Sequence, residues 1–158
     1  MTMIHLTGEA LFSLIKKHYP QASVQEETQQ IYLVLKVEQK DYPVFLRIFD
    51  EAHLLQIIAF IPCSLDKATV NDMARLLHML NKEIDVPGFG MDETSEIVFY
   101  RLMLPAQHKK MDSEQILEFL RATEQVCGMF TPPIEAIASG QLTLEEIMKK
   151  AQELEGES

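Results

Sequence analysis

The side chains that could bind a metal or act as nucleophiles are scattered along the chain. Its histidines are His5, His18, His53, His78 and His108. None of them lies three or four residues from another histidine or from a cysteine, as a typical zinc site would require. Cys63 and Cys127 are isolated thiols without CxxC pairing, a pattern typical of a reducing compartment. We therefore expect no metal and no cofactor.

The acidic residues of a predicted hairpin loop are the remaining candidates for catalysis. Asp92, Glu93 and Glu96 are close in sequence, but catalytic carboxylates need a sheltered pocket that shifts their pKa. The PGFG turn lacks the repeated glycines and the Lys-Ser/Thr of a phosphate-binding loop, and we expect it to need a positive φ at Gly88 or Gly90. There is also no GxSxG motif and no recognisable Ser/His/Asp arrangement. The sequence predicts a protein that is not an enzyme.

Composition limits the class of partner. The chain has 158 residues, of which 47% are hydrophobic, so it is long enough to bury one sizeable core. Its net charge of −10 disfavours nucleic acid and anionic membrane surfaces, which select for cationic patches. No apolar run approaches membrane-spanning length, and no signal peptide is recognisable at the start. We expect a cytoplasmic protein that binds another protein or a small molecule.

Apolar periodicity predicts an α+β fold in which an antiparallel sheet packs against helices. Strands grouped before and after a helix, rather than alternating with helices, indicate this class. The expected order is αβββαββα followed by C-terminal helices. We expect a helix from Thr7 to Tyr19, strands beginning at Ile31, Tyr42 and Leu54, a central helix opening at Ser64 or Thr69, a strand at 96–104, and a helix from Asp112–Ser113 to about Cys127 or Phe130.

Two short helices are predicted after this point. The Thr131-Pro132-Pro133 sequence is typical of an N-cap with proline in the first turn of a helix, which would end at Gly140. A capping box at Thr143–Glu146 opens the last helix, which extends to about Leu154. We therefore divide the chain into a domain of residues 1–130 and a C-terminal helical extension, residues 131–158, packed on the same domain.

The central helix carries an amide in the middle of its apolar face. That face consists of Val70, Met73, Ala74, Leu77, Leu80 and Ile84. Asn81 lies at its centre, and a buried amide must find hydrogen-bond partners. The backbone of the VPGFG turn just downstream is the nearest supply, so we expect Asn81 to hold this turn.

Apolar residues that the predicted core does not use are candidates for a partner or dimer surface. Leu76 and Met79 point away from the sheet-facing side of the central helix. We expect them to be exposed, and the alternative is that the C-terminal helices cover them. Phe45 and Phe49 lie on the half-polar side of the second long strand. Arg101 interrupts an apolar strand face, where it either pairs with a carboxylate, the interpretation we favour, or reaches for a partner.

The stretch LHMLNKEIDVPGFGMDETSEIVFYRLMLP resembles the YbjN-like family. The resemblance rests on Leu80-Asn81, Gly88-Phe89, Tyr100-Arg101 and Leu104-Pro105. It extends over roughly residues 6–130 and implies the αβββαββα fold that is similar to the type III secretion chaperones. The resemblance implies structural roles for Asn81, Gly88 and Phe89, and it brings no catalytic residues.

The same resemblance implies a protein-binding or regulatory module. We expect a homodimer that binds a segment of a client protein. The alternative is a small-molecule-responsive regulator, in which the space between the sheet and the C-terminal helices forms the pocket. A chaperone needs an exposed apolar surface, whereas a sensor needs an enclosed cavity with converging polar groups.

Overall fold

The structure is a computed structural model that describes residues 2–156. Its strands follow the predicted order, with three short strands added, and the two helices predicted on either side of residue 130 are one helix. The elements are β1 (Met3–His5), α1 (Gly8–His18), β2 (Ser23–Val24), β3 (Ile31–Val37), β4 (Lys40–Phe49), β5 (Leu54–Phe60), α2 (Val70–Glu83), β6 (Phe89–Asp92), β7 (Ile97–Pro105), β8 (Lys110–Asp112), α3 (Ser113–Ala138) and α4 (Leu144–Gly156). None of the helices within residues 2–156 combines the length and the hydrophobicity that a transmembrane span requires.

Six strands form one antiparallel sheet in the order β2-β3-β4-β5-β7-β6. The hairpin-like spacings of β3, β4 and β5 produce the meander that the sequence predicts. The chain then leaves through α2 and returns through β6 to β7, which adds to the free edge of β5. The predicted α+β class and the antiparallel sheet are confirmed.

One face of this sheet carries the core. Side chains alternate between faces along a strand, and the inward set is buried on β3, β4, β5 and β7. The helices supply the other half of the core, chiefly through Leu11 and Ile15 of α1, Met73 and Leu77 of α2, and Ile116 of α3. The helices therefore form one layer, and the sheet forms the other.

Two predicted helix caps are confirmed, and the start of the central helix is settled. The Thr7 hydroxyl accepts from the backbone N–H of Ala10, and the Asp112 carboxylate accepts from that of Glu114. For α2, the N-cap is Thr69 rather than Ser64, although its side chain makes no capping bond. The chain from Ser64 to Thr69 is a connection instead of a helical turn.

The predicted helix break near residue 130 is wrong. Helix α3 continues from Ser113 to Ala138 and contains Pro132 and Pro133 in its interior. Thr131 is not an N-cap. Its hydroxyl donates to the carbonyl of Cys127 and accepts from the phenol of Tyr42 at 2.8 Å, which ties this part of the helix to β4. The division into residues 1–130 and 131–158 stays a prediction, and its boundary falls within α3.

Helix α4 packs against α2. The predicted capping box is present, because the backbone N–H of Glu146 donates to the Thr143 hydroxyl and the Thr143 N–H donates to the Glu146 carboxylate. The carboxylate of Asp72 on α2 accepts from the N–H of Leu144, whose side chain is buried. The start of α4 is therefore fixed, whereas residues 151–156 are exposed.

Candidate functional site

The outer face of the six-stranded sheet is an apolar surface that no helix within residues 2–156 covers. Its side chains are half-buried or exposed, while the alternate residues of the same strands are buried. We call this surface the open face. Its central members are Tyr32 and Val34 of β3, Phe45, Arg47 and Phe49 of β4, Gln56, Ile58 and Phe60 of β5, and Phe99, Arg101 and Met103 of β7.

An aromatic cluster forms the centre of the open face. The rings of Tyr32 and Phe45 lie 5.1 Å apart, and those of Phe45 and Phe60 lie 5.7 Å apart in an edge-to-face arrangement. Ile58 pairs with Phe45 across the β4–β5 ladder and extends this row toward Arg101. The predicted surface residue Phe45 is thus brought together with Arg101 on one face.

Two arginines stand on the open face. The guanidinium carbon of Arg47 lies 4.3 Å from the centre of the Phe49 ring, a cation–π contact. Arg101 is exposed, and the ion pair found in the described part of the chain joins Lys40 to Glu135 instead. The favoured interpretation of Arg101 as a paired residue is therefore wrong. Because no helix covers this face, its guanidinium stays in water and needs no protein acceptor.

Leu76 is not a surface residue. It is only 3% exposed, because α4 begins against Asp72, which lies one turn before Leu76 on the same side of α2. Met79 is half-buried and packs against the core. For Leu76, the structure therefore agrees with the alternative that the C-terminal helices cover this side of α2. The predicted partner surface is thereby reduced to Met79, Phe45, Phe49 and Arg101.

Asn81 holds the turn after α2, as the sequence predicts. Its side-chain carbonyl accepts from the N–H groups of Gly88 at 3.1 Å and Phe89 at 2.9 Å, and its side-chain N–H donates to the carbonyl of Phe89 at 2.8 Å. Phe89 is buried against Tyr100. These bonds fix where β6 begins, and so they place β6 against β7.

The expectation of a positive φ at Gly88 or Gly90 is wrong. Among the glycines in residues 2–156, only Gly140 has a positive φ. Gly88 is required for space instead, because a Cβ there would lie 2.3 Å from the carbonyl oxygen of Arg101. A Cβ on Gly90 would lie 2.8 Å from the ring of Phe99. Close approach of β6 and its preceding turn to β7 therefore explains both glycines.

Two grooves flank the C-terminal half of α3. One has a volume of about 740 Å³ and lies between α3 and the end of β3, with Val37, Arg121 and Met129 among its lining residues. The other, of about 670 Å³, lies beside the Lys40–Glu135 ion pair and is lined by Cys63 and Ser64. Burial, and then the charge of Glu135, raise the pKa of Cys63 to about 11, so this thiol stays protonated at neutral pH.

The remaining candidates for chemistry do not converge. Asp92 is fully exposed, and its pKa is lowered by bonds from the backbone and hydroxyl of Ser95 and from the backbone of Thr94, so it organises the β6–β7 turn. Burial raises the pKa of Cys127 to about 12. Within residues 2–156, no group of three or more His, Cys, Asp or Glu side chains could hold a metal ion.

The model of one protein family matches residues 7–136, more than half of the chain. The family is YbjN, described as "putative bacterial sensory transduction regulator". The chain belongs to the YbjN family. The resemblance seen in the sequence around Asn81, Gly88 and Phe89 is thereby confirmed, and the match continues into α3 beyond residue 130.

Two solved structures share this fold. The crystal structure of YbjN from E. coli, described as a putative transcription regulator, has a TM-score of 0.65 at 14% identity over 88% of this chain and 96% of that chain. The ExsC–ExsE complex contains a chain with a TM-score of 0.54 at 17% identity, over 84% of this chain and 98% of that chain. No curated protein matches the chain by sequence. The fold is that of YbjN and of a chain in the ExsC–ExsE complex.

Proposed function

We propose that this protein is a non-enzymatic, chaperone-like regulatory module that binds a segment of another protein on its open face. The observation that carries the proposal is an apolar sheet face, centred on Phe45 and Phe60, which no described helix covers. A contiguous apolar surface of this kind is typical of protein–protein contact. The ExsC–ExsE complex supports the proposal, because there a protein of the same fold is found with a second protein.

The shape of the open face favours a protein segment over a small molecule. Ligand pockets enclose most of the surface of a small molecule, whereas a sheet face is broad and open on one side. Aromatic residues and arginine are also enriched where proteins contact each other. Phe45, Phe60 and Arg101 supply these residue types on one continuous surface.

A matched pair of methionine variants tests this function. Met103 is 40% exposed on the open face, and Met129 is 67% exposed on α3 beside the larger groove. Met103→Glu and Met129→Glu thus place the same charge on two different surfaces. Each variant and the wild type serve as bait in a pull-down from the native cytosol, followed by mass spectrometry.

We expect the wild type and Met129→Glu to capture the same dominant protein, and Met103→Glu to lose it. A dominant protein that is secreted or poorly folded supports the chaperone-like role. Capture that survives Met103→Glu and is lost with Met129→Glu would contradict the assignment to the open face. Circular dichroism of both variants checks that each is folded.

A small-molecule-responsive regulator is the second candidate function. The groove beside the Lys40–Glu135 ion pair favours it, because this groove lies between the sheet and the C-terminal part of α3 and contains converging polar groups. A thermal-shift screen of metabolites tests this candidate. A ligand that raises the melting temperature of the wild type, but not that of Glu135→Gln, would support it.

We further propose that the protein is a cytoplasmic homodimer. Its free thiols, Cys63 and Cys127, support a reducing compartment. Because Leu76 is buried, the dimer contact is expected around Met79 of α2, away from the open face. Light scattering of the purified protein tests this point, and a monomer mass at micromolar concentration would contradict it.

A further inference from the structure

We propose that the segment docking on the open face is acidic as well as apolar. This inference rests on the proposed function, because it names the chemistry of the partner at the same surface. Arg47 and Arg101 are the charged groups that lie beside the aromatic cluster of Phe45 and Phe60. Both arginines are exposed, and in the described part of the chain neither takes part in the Lys40–Glu135 ion pair.

Two carboxylates on this side of the sheet, those of Asp41 and Asp92, lie at the ends of strands and away from the aromatic cluster. Asp41 lies directly opposite Lys36 in the β3–β4 ladder, at the hairpin end of the open face, where a charge of each sign is present. Asp92 lies at the β6–β7 turn and accepts bonds from Thr94 and Ser95. The centre of the open face therefore carries positive charge.

The two guanidinium groups are arranged to receive carboxylates. Arg47 is stacked on Phe49, which restricts its planar fork and lowers the entropic cost of a bidentate carboxylate contact. Across the sheet, Arg47 of β4 is level with Gln56 of β5, which is level with Met103 of β7. Arg101 comes two residues before Met103, so it lies two strands away from Arg47 and is displaced along the strand by two residues. Strand spacings of about 4.8 Å and a rise of about 3.4 Å per residue separate the two backbones by about 12 Å.

That separation fits a simple partner motif. In an extended segment, residues i and i+4 point to the same side and lie about 13 Å apart. Carboxylates at these positions can meet Arg47 and Arg101, while an apolar residue at i+2 lies over the region of Gln56 and Ile58. The open face therefore selects a segment with acidic residues at positions i and i+4 and an apolar residue at i+2.

Charge also argues against two other occupants of the open face. A second copy of this chain docked face to face would bring two pairs of arginines together without matching carboxylates. An anionic membrane would meet the same arginines, but it would also repel a protein whose net charge is −10. An acidic protein segment is small enough to contact the open face alone, so its carboxylates meet the two arginines at close range while most of the protein's negative charge is farther away and screened.

Selection of random linear peptides displayed on phage tests the inference. Three baits are used: the wild type, the double variant Arg47→Glu/Arg101→Glu, and the double variant Arg75→Glu/Arg121→Glu. Arg75 and Arg121 are exposed on α2 and α3, so the third bait has the same net charge as the second with the open face unchanged. Vesicles of phosphatidylcholine and phosphatidylglycerol are tested for co-sedimentation with the same three proteins.

A protein of net charge −10 would select cationic peptides by general electrostatics, so enrichment of acidic ones reports on the open face. We expect acidic, apolar peptides from the wild type and from Arg75→Glu/Arg121→Glu, with affinity about tenfold weaker or worse for Arg47→Glu/Arg101→Glu. If neutral or cationic peptides bind the open face, the inference of an acidic partner is wrong, but the proposed binding of a protein segment on this face is still supported. The affinity of the selected peptides for Met103→Glu is measured as well, and an affinity equal to that for the wild type would overturn both proposals. Vesicle binding that is lost only with Arg47→Glu/Arg101→Glu would assign the face to lipid.

Discussion

At the scale of single residues, Asn81 can be predicted from the sequence and Gly88 cannot. An amide in the middle of an apolar helix face must be satisfied, and the following turn was the nearest source of backbone groups. The role of Gly88 depends on the distance of its Cα from the backbone of Arg101, which follows from strand pairing. The local turn preferences of the VPGFG sequence do not predict that distance.

Replacing Asn81 with leucine is expected to lower the free energy of unfolding by about 1–3 kcal/mol, because the bonds to Gly88 and Phe89 are lost. Asn71→Leu is the control, since Asn71 lies on the exposed side of the same helix. Denaturant titration measures both. Equal stability of the two variants would refute the role of Asn81.

Gly88→Ala is expected to destabilise the protein by about 1–3 kcal/mol, because its Cβ would overlap the Arg101 carbonyl and force the turn away from β7. Gly8 has no atom within 4 Å of an added Cβ and lies in the first turn of α1. Gly8→Ala should therefore be neutral or slightly stabilising. The close-approach explanation fails if both substitutions have the same effect in a thermal melt.

The buried thiol of Cys127 is expected to lower the free energy of unfolding at alkaline pH. Burial raises its pKa from 9.0 to about 12, so the thiol stays protonated in the folded protein while the unfolded chain ionises near pH 9. The stabilising contribution is complete below about pH 9 and is lost as the pH rises toward 12.

We therefore expect the stability of Cys127→Ala to fall less steeply than that of the wild type between about pH 8 and pH 10.5. Urea titrations at both pH values make the comparison, and each protein serves as its own reference. Parallel declines would show that Cys127 does not ionise differently in the two states.

At the scale of elements, the long strands and the helix caps follow from the sequence, and the end of α3 does not. Thr131-Pro132-Pro133 has the pattern of a helix start, because proline in a first turn needs no N–H. The structure continues the helix through the same residues and fixes Thr131 to Tyr42 of β4. The strands β1, β2 and β8 have at most three residues each, too few for an alternating pattern to be visible.

Helix α4 is expected to stabilise the domain through its N-terminal part, where Leu144 is buried and Ile147 and Met148 pack against the core. Leu144 is 2% exposed beside α2, whereas Leu154 is 70% exposed in the same helix. Leu144→Ala should lower the free energy of unfolding by about 2–4 kcal/mol, and Leu154→Ala should leave it unchanged. Equal, small losses in denaturant titration would mean that α4 contributes little to covering Leu76.

At the scale of the whole molecule, the fold class, the meander of β3, β4 and β5, and the half-apolar outer side of β4 can be predicted from the sequence. The sequence does not predict which apolar residues remain exposed, because their exposure depends on where α4 packs. Leu76 was expected at the surface and is buried, while Arg101 was expected in a pair and is exposed. Tyr32 and Phe60 join Phe45 only through strand register.

The methionines allow one measurement to compare the candidate surfaces directly. Met103 lies on the open face, Met129 lines the larger groove, and Met3 lies by a third groove near β8. A spectrum of methyl-¹³C-methionine protein, titrated with the purified dominant protein from the pull-down, reports on all of them. Binding at the open face predicts that the Met103 signal shifts or broadens while Met129 and Met3 stay unchanged. A shift at Met129 or Met3 with Met103 unchanged would contradict binding at the open face.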